Sequence, residues 1–170
     1  RQRFENVNSL LREIQWYQGP VYLLPSDKED VSRINFSCGH DLQVLNVKDE
    51  DFVTFFRAFR TSCHKKTSAY IPFWDLPIKR NYALWYAKKH GYQKILLIDD
   101  DIRIVTPSLF MLATKALESN TVCGCFVEDF PDTSVQGHLE LLSGIPLSPF
   151  LSGSFLFINV ERVCTFFPQI

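Results

Sequence analysis

The sequence predicts an α/β fold, a mostly parallel central sheet with helices on both faces. Three observations carry this expectation. Short apolar runs of strand length alternate with segments whose apolar residues recur at helical spacing. Gly, Pro and small polar clusters punctuate the junctions. The run 95–98 is apolar throughout, as a parallel strand covered on both faces should be.

The elements follow in order. Phe4, Val7, Leu10, Leu11 and Ile14 sit at helical spacing, and Gly19-Pro20 ends that segment. A strand is expected at 21–24, then a polar turn at 25–30 in which Ser26 or Asp27 caps the next helix. A second strand at 42–47 closes on the acidic cluster 48–51, and Phe52, Val53, Phe55, Phe56 and Phe59 give another helical pattern. Asp75 and Pro77 open a helix through Tyr82, Leu84, Trp85 and Ala87 that Gly91 terminates. After the strand 95–98, Thr106-Pro107 starts a helix carrying Leu109, Phe110, Leu112, Ala113, Ala116 and Leu117. A strand at 121–127, a polar loop with Glu128, Asp129 and Asp132, a short helix at 135–142 and a strand at 154–158 complete the order.

Composition narrows the class. With 170 residues the chain is read as one domain over 1–170, long enough for a real core. An apolar fraction of 46%, with 15 Phe, fits close packing and opposes disorder. Eighteen basic residues against 19 acidic leave a net charge of −1, which provides no general nucleic-acid face. No run approaches the roughly 20 apolar residues of a transmembrane helix, and the opening Arg1-Gln-Arg-Phe-Glu is no signal peptide. Five cysteines at irregular spacing do not form a disulfide scaffold, so a cytoplasmic setting is expected. Cys38/His40 and Cys63/His64 lack the repeated ligand gap of a zinc site, and Cys123 and Cys125 alternate within a strand as core residues do.

The stretch QKILLIDDDIRI (93–104) places Asp99, Asp100 and Asp101 directly after an apolar strand. Three crowded carboxylates losing hydration require a counter-charge, and a divalent cation supplies it. In an extended segment Asp99 and Asp101 point the same way, so the two can share one hard ion such as Mg²⁺ or Mn²⁺. A helix cap needs one carboxylate, and Thr106-Pro107 already opens the next helix. Some twenty residues earlier, Lys79 and Arg80 lie near a helix start whose free amides suit a phosphate or the polar edge of a nucleotide base. A solvated helix face would read the same way in isolation; ahead of a strand ending in carboxylates, phosphate binding is the stronger reading.

The run from Pro77 to Ile104 resembles the donor-binding half of GT-A glycosyltransferases, particularly family-2-like enzymes, in which an Arg-Asn helix precedes a strand ending in Asp-x-Asp. The resemblance implies a Rossmann-like GT-A sandwich that binds a nucleotide-diphosphate sugar, incomplete at its C-terminus. It implies that Ser26 lies beside the nucleotide, that Asp49, the nearest match, or else Asp51 contacts the base, and that Arg80 assists the diphosphate. Asp99 and Asp101 would hold Mn²⁺ or Mg²⁺ and Asp100 would contact the donor, although a frame using Asp99 and Asp100 is also allowed. The Ser152-Gly153 turn corresponds to the acceptor side. The family's catalytic acid follows this region and no residue here is assigned that role; Glu128, Asp129, His90 and His138 are poor candidates. The acceptor (saccharide, lipid-linked or small molecule), the sugar and the base stay open.

Two rival classes remain. One is a nucleotide-sugar-binding scaffold module of the same fold without turnover. The other is an aspartate-nucleophile phosphohydrolase, disfavoured because Arg103 stands where that motif carries Thr or Val.

Overall fold

The computed structural model describes residues 2–25, 34, 41–45, 50–51, 54, 75–103, 106–124 and 155–163. Within them the order is α1 (Gln2–Glu13), β1 (Val21–Leu23), β2 (Leu42–Val44), α2 (Asp75–Lys89), β3 (Lys94–Ile98), α3 (Pro107–Ala116), β4 (Val122–Gly124) and β5 (Phe155–Asn159). The expected mixed α/β class holds. Phe52, Val53, Phe55, Phe56, Phe59 and the segment 135–142 lie outside the described residues.

Local chemistry explains where the helices stop and start. On α1 the apolar stripe places Leu10 and Leu11 in the interior while Glu5 and Arg12 face water. Gly91 ends α2 with φ of 72°, a left-handed conformation that disfavours side chains, and the Tyr92 N–H reaches back to the Ala87 carbonyl at 2.9 Å. Pro107 opens α3, as expected. The preceding Thr106 is extended, yet its hydroxyl does not cap the helix; it accepts a hydrogen bond from Ser108 Oγ at 2.9 Å. At the far end of α3 the Arg162 guanidinium donates to the carbonyls of Glu118 and Ser119 at 2.6 and 2.8 Å, a cation placed where the helix dipole is negative.

Two sheets organise the described strands. β1 and β2 pair in parallel, Val21 opposite Leu42. The other sheet has the order β3-β5-β4, and β5 runs antiparallel to both neighbours. A mostly parallel sheet was expected, with 95–98 as the strand covered on both faces. That position belongs instead to β5, in which every residue is buried, whereas β3 is half-buried along most of its length. The physical reason is that apolar continuity reports how a strand is covered and carries no information on its direction.

Side-chain alternation along β5 builds the core. Phe155 and Phe157 pack with Ile102, Ala113 and Leu117 beneath α3, with Cys123 against the same cluster. Leu156 and Ile158 turn the other way onto Leu84 of α2. Helices therefore cover both faces of this sheet. Asn159, at the end of β5, is buried but satisfied: its Nδ2 donates to the Leu117 carbonyl at 3.1 Å and its Oδ1 accepts the Arg162 N–H at 3.3 Å. Among the described residues no backbone hydrogen bond joins β1 to β3. A chamber of about 400 Å³ lies there instead, bordered by Tyr22, Ala83, Tyr86, Tyr92, Leu96 and Phe110.

Candidate functional site

The carboxyl ends of β1 and β3 open onto one cleft of about 270 Å³ that is also lined by α1 and the start of α2. Leu24 and Pro25 follow β1, Asp99 and Asp100 follow β3, and Lys79 and Arg80 belong to α2. Ligands of open α/β sheets bind at this kind of position, because strand ends and helix starts converge there.

The acidic triplet does not stay extended. The Ile102 N–H donates to the Asp99 carbonyl at 3.2 Å, closing a turn, and the Ile102 side chain is buried in the core beneath α3. That turn breaks the alternation on which an Asp99/Asp101 pair depended. Asp99 and Asp100 are half-buried and line the cleft, while Asp101 is exposed and does not. Of the two frames open in the sequence, the cleft brings together the one using Asp99 and Asp100. Next in the chain, Arg103 pairs with Glu13 of α1 at 3.4 Å.

Arg80 is half-buried, and the fully buried Asn81 follows it on α2. Burial lowers the Arg80 guanidinium pKa by stripping water from its charge, and the neighbouring Asp99 carboxylate opposes that shift. The guanidinium and the Asp99 carboxylate therefore feel each other's charge across the cleft. Lys79 places a second cation on the same wall.

The donor set defines what could be held. Among the described residues no group of three or more His, Cys, Asp or Glu side chains converges. Asp99 and Asp100 provide two hard oxygen donors on the cleft wall, a set that fits Mg²⁺ or Mn²⁺ when water and phosphate oxygens complete the shell. Ser26 and Asp49, expected beside the nucleotide, lie outside the described residues, as do Glu128, Asp129, His138, Ser152 and Gly153. His90 is exposed and stacks on Tyr86 with ring centroids 4.1 Å apart, away from the cleft lining.

Sequence reasoning passed over the tyrosines around the chamber. The Tyr22 and Tyr92 hydroxyls share a hydrogen bond at 2.6 Å, and Tyr22 meets Tyr86 edge-on at 5.2 Å. The spacing of Tyr82, Tyr86 and His90 was a visible signal, since residues four apart share a helix face. Among the described residues no helix is long and apolar enough to cross a membrane. No protein-family model, curated protein or solved structure matches the chain.

Proposed function

We propose that the chain binds a nucleotide-diphosphate sugar and transfers its sugar to an acceptor, in the manner of a GT-A glycosyltransferase. The observation that supports this reading is the meeting of Asp99 and Asp100 with Lys79 and Arg80 in one cleft at the ends of two strands. Carboxylates and basic groups together suit a diphosphate: Lys79 and Arg80 would bind its oxygens directly, and Asp99 and Asp100 offer hard oxygen donors to a Mg²⁺ or Mn²⁺ that accompanies it. When bound, that ion supplies charge neutralisation to the departing diphosphate. Asp99 and Asp100 would hold it on the cleft wall. Arg80, partly stripped of water, opposes developing negative charge more strongly than an exposed arginine would. In the transfer the bond from the anomeric carbon to the diphosphate oxygen breaks with its electron pair leaving on the diphosphate. An acceptor oxygen forms the new bond to that carbon.

The test is a thermal-shift panel of nucleoside diphosphates with and without Mn²⁺, followed by a donor-turnover assay. A ligand at a hundred times its Kd raises stability by about 2.7 kcal/mol, a rise in midpoint of roughly 5–10 °C for a domain of this size. A Mn²⁺-dependent shift that disappears in Asp99→Asn and Asp100→Asn supports the reading. Unchanged midpoints with every nucleotide would sink it, and binding without turnover would mark the scaffold module.

A further inference from the structure

The alternation of β3 bears directly on the acidic triplet that follows it. Leu96 and Ile98 pack against the core cluster beneath α3, whereas Ile95 and Leu97 pack against the cluster on the α2 side. Continued past Ile98 in the same extended form, the chain would point Asp100 and Ile102 into the apolar cluster beneath α3 and send Asp99 and Asp101 to the other face. Asp100 would then lose its hydration among apolar neighbours. Two demands conflict: Ile102 belongs in that core, and Asp100 does not.

The turn meets both. With the Ile102 N–H bonded to the Asp99 carbonyl at 3.2 Å, Ile102 is 5% exposed among Ala113, Leu117, Phe155 and Phe157, while Asp100 lines the cleft. Ile98 and Ile102 thus rest on one cluster and bracket an arc of three aspartates. Two of the three line the cleft; Asp101 is exposed and outside its lining. At the far end of the arc Arg103 meets Glu13 of α1 at 3.4 Å, but a partly exposed pair at that distance contributes little. The hold on the arc falls to Ile102.

We propose that Ile102 is a positioning residue for the cleft: its burial beneath α3 decides that Asp99 and Asp100, and not Asp101, are presented there. That these carboxylates then meet a divalent cation rests on the transferase reading; their selection by Ile102 does not. Ile102 is absent from the cleft lining, so its replacement leaves every charged group of the cleft in the chain and removes only the anchor that orders them. A core side chain sets which pair of acids a ligand meets.

Carbodiimide labelling of the intact chain, without metal or nucleotide, tests the assignment, with the three carboxyls resolved by fragmentation of the peptide that carries them. In the unaltered chain Asp101 is expected to label about fivefold faster than Asp99 or Asp100, the population factor of one net hydrogen bond such as the one closing the turn. Ile102→Ser brings that ratio below about twofold, because the arc is no longer held by burial. Ile102→Val, which keeps a branched aliphatic group in the cluster, preserves the ratio. Leu84→Ala weakens the core on the opposite face of the same sheet and leaves the ratio unchanged, which separates positioning from loss of stability. Should Ile102→Ser fail to fold, Ile102→Thr, with the shape of valine and a hydroxyl, takes its place. Equal labelling of the three carboxyls in the unaltered chain overturns the proposal. So does a ratio that survives in the folded serine or threonine variant, or one that Leu84→Ala abolishes equally. Nucleoside-diphosphate binding with Mn²⁺ is titrated separately on the same variants. Labelling that follows Ile102 in a chain that binds no nucleotide keeps the positioning role and removes the transferase reading; nucleotide binding with labelling indifferent to Ile102 does the reverse.

Discussion

Ala83→Leu tests whether the space between β1 and β3 accepts added carbon. The site is a half-buried position on α2 bordering a chamber of about 400 Å³. Leucine adds three carbons to the alanine side chain. At about 0.8 kcal/mol for each buried carbon they contribute close to 2.4 kcal/mol, less about 0.5–1 kcal/mol for the restricted rotamer. The net expectation is a stabilisation of about 1.5–2 kcal/mol, or roughly 3–8 °C in Tm. In a site already filled, the same change would overpack and cost about 1–3 kcal/mol. The two cases differ in sign. Urea denaturation followed by circular dichroism reads that sign directly: the midpoint rises at constant m-value when room exists. A lower midpoint at the same m-value would refute the chamber.

Other expectations follow from the same geometry. Asp99→Asn and Asp100→Asn should each weaken Mn²⁺-dependent nucleotide-diphosphate binding by about 10- to 100-fold, the equivalent of a lost charged contact. Asp101→Asn, at the exposed position, should change it less than about twofold; equal losses at all three sites in calorimetry would restore the extended reading of the triplet. Burial first, and the Tyr92 hydroxyl second, push the Tyr22 phenol well above its ordinary value of 10.0. A raised phenol contributes stability that is complete below about pH 10 and is lost as pH climbs toward the folded-state value. Midpoints measured between pH 9 and 11 should fall at the alkaline end, and less steeply in Tyr22→Phe; Tyr17, raised mainly by burial, leaves a residual slope. Asn159→Ala strands the buried Leu117 carbonyl and removes one acceptor of the Arg162 N–H, so it should cost about 2–4 kcal/mol in equilibrium unfolding. A loss under 0.5 kcal/mol would show those bonds to be dispensable.

Much of this architecture was legible in the residues. Leu10 and Leu11 marked the inner face of α1, Gly91 marked the end of α2, and Pro107 marked the start of α3, because each acts through chemistry confined to a few neighbours. Strand direction was not legible: Phe155 to Ile158 and Ile95 to Ile98 are equally apolar, and only the path between them reverses one against the other. That Lys79 and Arg80 would serve the same ligand as the acids was anticipated from order along the chain, a helix preceding a strand that ends in acids; the charge interaction between Arg80 and Asp99 themselves was not. The outward turn of Asp101 was not, since it depends on Ile102 finding a place in the core some fifty residues from its partners Phe155 and Phe157. Asn159 gave no signal either, because an asparagine after four apolar residues reads as the end of a strand and not as a bolt between two elements. The chamber lies between two sheets, a relation no local pattern encodes.

The full enclosure of β5 has a consequence for how the molecule comes apart. Its amides are bonded on both edges, to Lys94 through Ile98 on one side and Val122 through Gly124 on the other, with a helix over each face. Successive amides of β5 point to opposite neighbours, so solvent deuterium can reach Leu156, Phe157 or Ile158 only when the flanking strand that holds that amide is surrendered together with the helix over it, and their exchange should lie at the high end of the opening free energies. The β1–β2 pair, lacking such enclosure, should label earlier and at lower denaturant, leaving the middle strand as the chain's last intact record of its native state.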